Sequence, residues 1–246
     1  MNKTSEPTVV LASPDSVFSL AARFASRVNS LGLPQARINE LNNGDDSFWT
    51  AIDAALMPIV LASEYSSILR DWSKFYKKYF GITADFSNIR IPAKVVGFDR
   101  LIIVAEGVSI NQVYETGKKN FGSWKWCSDD LESNMRAEER GPVKAAYAFW
   151  VRNNQEADED LKNLSAETVD RPQDTENLIE RLLHGFKFWS ETKEHLDIKT
   201  VTLCASSRFV VGIVPIVYRY SDGGVCVRRH DSRLADPGLR ARRAVR

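Results

Sequence analysis

Residues 214–230 read Val214-Pro215-Ile216-Val217-Tyr218-Arg219-Tyr220-Ser221-Asp222-Gly223-Gly224-Val225-Cys226-Val227-Arg228-Arg229-His230. Two runs rich in β-branched and aromatic residues flank Ser221-Asp222-Gly223-Gly224, which is the pattern of a β-hairpin closed by an Asp-Gly turn. Alternate side chains of such a hairpin point to opposite faces. The expectation is that Val214, Val217, Val225 and Val227 lie on the buried side. Tyr218, Tyr220, Cys226, Arg228 and His230 are then left for solvent or a ligand.

Working outward, Thr200-Val201-Thr202-Leu203-Cys204 reads as a further strand and Leu239 to Val245 as a last one. Upstream, Leu178, Ile179, Leu182, Leu183, Phe186, Phe188 and Trp189 recur at helical spacing behind Asp174 or Thr175 as a start. Residues 153–174 are acidic and poor in large apolar groups, so a solvated loop with short helical pieces is expected. Tyr147 to Val151 reads as a strand, Ser109 as the cap of a helix through Val113, Tyr114 and Lys118, and Val95, Val96 and Leu101–Ala105 as buried strand following Pro92.

Before that the pattern is helical. Ser13, Pro14 and the apolar series from Val17 to Leu31, closed by Gly32, predict a helix over about 14–31. A second helical stretch runs from Asp46 or Ser47 to Phe80, ends at Gly81, and is kinked or divided at Pro58. The fold class is α+β, with a helical N-terminal region at 1–90 and a strand-rich domain at 91–246.

Lysine and arginine number 33 against 32 acids, a net charge of +1, so no whole-molecule field draws the chain to nucleic acid or to an anionic membrane. The longest apolar run, Ala54 to Ala62, is far short of a bilayer span, and the first residues do not read as a signal peptide. Three cysteines at unrelated spacings, Cys127, Cys204 and Cys226, point to a reducing, cytoplasmic setting without a disulfide framework. His184, His195 and His230 combine with no cysteine at metal-ligand spacing, and no cluster of oxygen ligands suits calcium near the hairpin. Ser206-Ser207 lies in no nucleophile elbow. Arg240, Arg242 and Arg243 lack interleaved aromatics and read as structural or surface charge. No cofactor and no catalytic activity are expected.

From Cys204 to Arg246 there is no lysine, glutamate, glutamine, methionine or tryptophan, although these types fill about one residue in five upstream. Independent drawing at the upstream rate gives such a gap odds on the order of one in ten thousand. Charge itself is not lost there, because nine arginines supply cations and Asp222, Asp231 and Asp236 supply anions. Only particular codon classes are missing.

Adenine-directed mutagenesis of AAY asparagine codons reaches every residue type except those five. In this respect the chain resembles the variable proteins of diversity-generating retroelements, which end in a C-type-lectin-like domain with varied residues near the C-terminus. The segments Phe98–Ala105, Tyr147–Arg152, Thr202–Arg208 and Gly238–Val245 are similar to those of such proteins, over roughly residues 95–246. The resemblance implies a C-type-lectin-like fold for 91–246, with the N- and C-terminal strands adjacent, and a variable segment at 204–246. It also implies a hypervariable surface that binds an unknown protein or other ligand. Tyr218, Arg219, Tyr220, Arg228, His230 and Asp231 are the candidate binding residues, expected to share one exposed face. Tyrosine and arginine give large contact area and planar hydrogen bonding, which suits recognition. Two rivals stand beside this reading. One is an enzyme of the formylglycine-generating-enzyme-like fold, which needs paired active-site cysteines. The other is a structural or interaction protein that uses the N-terminal helices as an assembly module, in which they could bury against the C-terminal domain or against a second copy.

Overall fold

The computed structural model describes residues 65–246 apart from 87, 88, 129, 210, 211 and 222, together with 22, 23, 25–27, 29–32, 34–36 and 39. The chain divides into two compact units, Met1–Met57 and Pro58–Arg246. In the first, the described residues from Ala22 to Ser30 are helical and Gly32 takes the left-handed conformation (φ +61°) expected of a helix-closing glycine. The cap at Ser13, the start of the second helical stretch and the Pro58 kink lie outside the described residues.

The second unit opens with helix α1, Ser66–Phe80, which ends at Gly81 in the left-handed region as expected. Its buried stripe is Leu69, Trp72, Phe75 and Tyr76. Two of these side chains carry polar tips that need partners once buried. Trp72 Nε1 donates to Leu101 O at 3.2 Å, and Tyr76 Oη donates to Ile103 O at 2.7 Å while accepting from Ala105 N at 3.0 Å. These bonds tie α1 to strand β1, Arg100–Val104. The boundary therefore falls at Met57–Pro58 and not near residue 90, and α1 shares a core with the strands after it.

Val95 and Val96 are not buried strand. They form a turn in which Phe98 N donates to Val95 O at 3.0 Å, Gly97 sits at φ +85°, and Val96 is 99% exposed. Helix α2, Ile110–Phe121, is capped by Ser109, whose Oγ accepts from Gln112 N at 3.3 Å. Strand β2, Ser123–Lys125, and the short helix α3, Leu131–Asn134, follow, then strand β3, Tyr147–Val151.

Residues 153–174 contain two single-turn 3-10 segments, Glu159–Leu161 and Pro172–Asp174. This stretch is not merely a solvated loop, because Ala157, Leu161, Ala166 and Val169 are buried. Helix α4, Leu178–Thr192, begins a few residues later than expected because Asn177 and Glu180 form a reciprocal capping box there. Strands β4 (Val201–Leu203), β5 (Ile213–Arg219), β6 (Val225–Asp231), β7 (Leu239–Arg240) and β8 (Ala244–Val245) complete the chain. The expected last strand is split: β7 joins one sheet and β8 the other, with residues 241–243 crossing between them.

The architecture is α+β. One sheet has the order β1-β3-β8 and the other the order β2-β6-β5-β4-β7. The first and last strands lie in one sheet but are not adjacent, since β3 pairs with both. Helix α4 packs against β1, β5 and α2. At the centre, Phe186 touches Phe75, Tyr79, Phe80, Phe121 and Trp189 with ring centroids 4.9–6.0 Å apart.

Candidate ligand-binding surface

The hairpin forms where the sequence places it. β5 and β6 pair from Ile213 opposite Asp231 to Arg219 opposite Val225. Tyr220 N donates to Gly224 O at 2.7 Å and Gly223 N to Tyr220 O at 2.9 Å, with Gly223 at φ +103°, a conformation that favours glycine.

The register sorts the candidate residues. Tyr218 lies opposite Cys226, Ile216 opposite Arg228, and Val214 opposite His230, all on one face. Val217 opposite Val227, Arg219 opposite Val225, and Ile213 opposite Asp231 lie on the other. Tyr218, Arg228 and His230 therefore share a face that Arg219 and Asp231 do not, and Val214 points away from Val217. Positions three apart on a strand cannot face the same way. Tyr220 lies just past the end of β5 and is 47% exposed.

Both faces of the sheet are covered in part. Val217, Val225 and Val227 enter the main core, while Val214, Leu203, Ala205 and Ala241 pack with Leu161, Ala166 and Val169, leaving Ile216 partly buried at the margin. Ser232 Oγ donates to Glu167 Oε1 at 2.8 Å, holding the 159–169 segment over that half. The other half, towards β2, is open. There Trp124 of β2, aligned with Cys226, is 51% exposed. Cys226, expected to face solvent, is fully buried. The Arg228 guanidinium lies 5.9 Å from the centre of the Trp124 ring and donates to the Tyr218 phenol, whose pKa burial raises.

The side chains of His230 and Asp231 are committed elsewhere. His230 Nε2 lies 3.0 Å from Leu234 O. Asp231 accepts from the backbone N, Nε and Nη2 of Arg233 at 3.0, 3.0 and 2.8 Å, and these bonds hold its carboxyl well below the usual range. Arg219 N donates to Asp197 O at 3.2 Å, and after burial its positive charge is the next cause of the lowered His195 pKa. Sequence reading missed Trp124 because it lies upstream of the composition break. The alternation in Ser123-Trp124-Lys125-Trp126 was the available signal for a short strand.

Beneath this surface lies a fully buried charge network. Asp197 accepts from Arg181 Nε and Nη2 at 3.1 and 2.7 Å and from Arg242 Nη2 at 2.6 Å, with the Thr202 hydroxyl also donating to it. Arg242 spends its other donors on Gln155 O (2.8 Å), Asn154 O (3.0 Å) and Thr202 Oγ1 (3.1 Å). Glu176 and His184, both 0% exposed, share a 2.8 Å hydrogen bond. The two arginines hold Asp197 below the ordinary carboxylate range in spite of its burial. Arg240 pairs with Glu159 at 2.6 Å, and Arg243 Nη1 reaches Asp170 O at 2.9 Å. All three arginines of the last segment are thus structural.

Cys204 and Cys226 flank β5 from opposite sides, at Pro215 and at Tyr218 respectively, and both are buried and joined in no disulfide. Burial raises the Cys204 thiol well above its ordinary value, the opposite of what a reactive thiolate needs. Among the described residues no group of three or more His, Cys, Asp or Glu side chains is placed to hold a metal ion, and no helix is long and apolar enough to cross a membrane. A groove of about 450 Å³ runs elsewhere, beside Glu138, Glu139, Arg140, Tyr147 and Ser207. Two of its charged groups are engaged: Glu139 accepts from Arg208 N at 2.7 Å, and Arg140 donates to Met135 O and Ser133 O at 2.7 and 3.1 Å. Compared with known proteins, the chain matches no family model, no curated protein and no solved structure.

Proposed function

We propose that this is a retroelement-diversified binding protein on a C-type-lectin-like scaffold, which holds a ligand on the open half of the five-stranded sheet. One observation carries the reading. On that half Tyr220 and Arg228 are exposed and Tyr218 is half-buried, and all three belong to the segment that lacks the five residue types, while the opposite face of the same strands buries Val217, Val225 and Val227. Replacement at the exposed positions leaves the core untouched, whereas large-to-small changes at buried ones cost about 2–5 kcal/mol. Variation at Cys204, Val214, Val217, Val227, Ala241 and Arg242 would cost stability, because these residues are buried. Diversification is confined to the exposed subset.

Burial and separation of Cys204 and Cys226 argue against the oxidoreductase alternative. The decisive test is the neighbouring DNA. A second copy of the codons for 204–246, differing at adenines and lying beside a reverse transcriptase gene, is expected. Mismatches at codons for buried residues as often as for exposed ones, or no such copy at all, would sink the proposal.

A further inference from the structure

Resting on the binding reading above, we propose that the open half of the sheet, centred on Trp124, docks an acidic segment of a protein partner. Trp124 lies outside the composition break, so it is the constant element among varied neighbours. At 51% exposure it offers a large apolar surface to water, and tryptophan, tyrosine and arginine are the residue types that carry most binding energy at protein interfaces. Arg228 lies 5.9 Å from its ring centre, and Tyr218 stands on the same face beyond Cys226.

Charge points to the partner. Arg228 has no carboxylate within ion-pair distance among the described residues, while Arg233, Arg240 and Arg246 are paired at 2.8, 2.6 and 2.7 Å. No residue on this face, from Trp124 through Val214, Ile216, Tyr218, Cys226 and Arg228 to His230, is acidic. The Arg228 guanidinium, 5.9 Å from the centre of the Trp124 ring, is planar and can offer a carboxylate two parallel N–H donors. With one unpaired cation on the face, a nucleic acid gains little, because its affinity grows with the number of phosphates neutralised. The surface is a sheet face and not a cleft, which suits a protein better than a small acid.

The test uses the full chain as bait for a phage-displayed library of random peptides, with Trp124→Ala, Arg228→Glu and Lys77→Ala as comparison baits and a fluorescent oligothymidylate as a second probe. Peptides recovered on the unaltered protein are expected to be enriched in Asp and Glu beside aromatic residues. Trp124→Ala should weaken them by roughly 30-fold or more and Arg228→Glu by at least ~10-fold, with Lys77→Ala unchanged. Circular dichroism melts confirm that each bait is folded. Peptides without acidic enrichment, acidic peptides that bind all baits alike, or tighter binding of oligothymidylate would overturn this inference and leave the binding reading in place. Recovery of no peptide at all would overturn both.

Discussion

Replacing Asp197 with asparagine isolates the charge on which the scaffold is built. Asp197 sits at φ +57°, a left-handed conformation that asparagine also tolerates, so the backbone is not the variable. The side chain keeps its shape but loses the charge that two guanidinium groups share, those of Arg181 and Arg242, each 2% exposed. Removing one partner of a buried ion pair costs about 3–5 kcal/mol, since the opposite charge stays uncompensated out of water. For a unit of this size each kcal/mol moves Tm by roughly 2–4 °C, so thermal unfolding followed by circular dichroism should show a fall of roughly 6–20 °C at neutral pH. The sign of the pH dependence is fixed as well. A carboxyl held below its ordinary 3.8 contributes stability above that pH and loses it as pH falls through the folded value, so the gap between the two proteins narrows in acid. A fall of less than ~2 °C at pH 7 would show that the guanidiniums need no carboxylate, and the reasoning would be wrong.

Simultaneous replacement of the exposed Tyr220 and Arg228 by alanine should leave Tm within a few degrees, because exposed changes are usually worth less than ~0.5 kcal/mol each; a larger fall in a melting experiment means they support the fold. Phe186→Ala, at the hub of the aromatic cluster, should lower the urea-unfolding free energy by about 3–5 kcal/mol, and a loss under ~1 kcal/mol would contradict the packing. Burial pushes Glu176 up to about 7 and His184 well below its usual 6.5, so the folded pair takes one proton near neutrality and resists a second. The unfolded pair accepts that second proton at the glutamate's ordinary 4.5, so the urea midpoint should drop below that pH, and a His184 ring seen by NMR to titrate near 6.5 would refute the assignment. Iodoacetamide added to the native protein should label Cys127 well before Cys204 or Cys226, as mass spectrometry of digests would show.

The local elements were legible where one physical cause dominated. Ser109, Gly81 and the Gly223 turn each follow from backbone needs that few residues satisfy, and the helix about Leu182 and Phe186 from its apolar period. Legibility failed where tertiary contacts decided. Valines at 214 and 217 look equivalent in sequence, yet the first meets Leu161 and Val169 and the second the main core, because the 159–169 segment folds over the far face. Val95 and Val96 have strand propensity but are held in a turn by Gly97. The site was half visible. Tyr218, Arg228 and His230 share a face as the alternation requires, Arg219 and Asp231 do not, and Trp124 arrives from a strand pairing parallel to β6 that no local pattern announces.

The missing residue types of 204–246 have two separable causes. Arg242 makes hydrogen bonds from Nε, Nη1 and Nη2 to Asp197, Thr202, Asn154 and Gln155, and Arg246 reaches Gln173, Thr175 and Glu180. A lysine ammonium is a point charge without that planar fork, so at these positions the absence of lysine follows from the fold alone. At the exposed Arg229 no such demand exists: its guanidinium lies 4.8 Å from the centre of the Trp126 ring. Lysine would serve there. Nor does any buried contact explain why glutamate, glutamine, methionine and tryptophan are absent from exposed positions such as Tyr220 and Leu234. The proposed codon explanation thus has to account only for the surface, the same place where substitution is tolerated. Arg242→Lys should accordingly destabilise the protein strongly, while Arg229→Lys should not. Equal melting temperatures for those two variants would remove the structural half of this account.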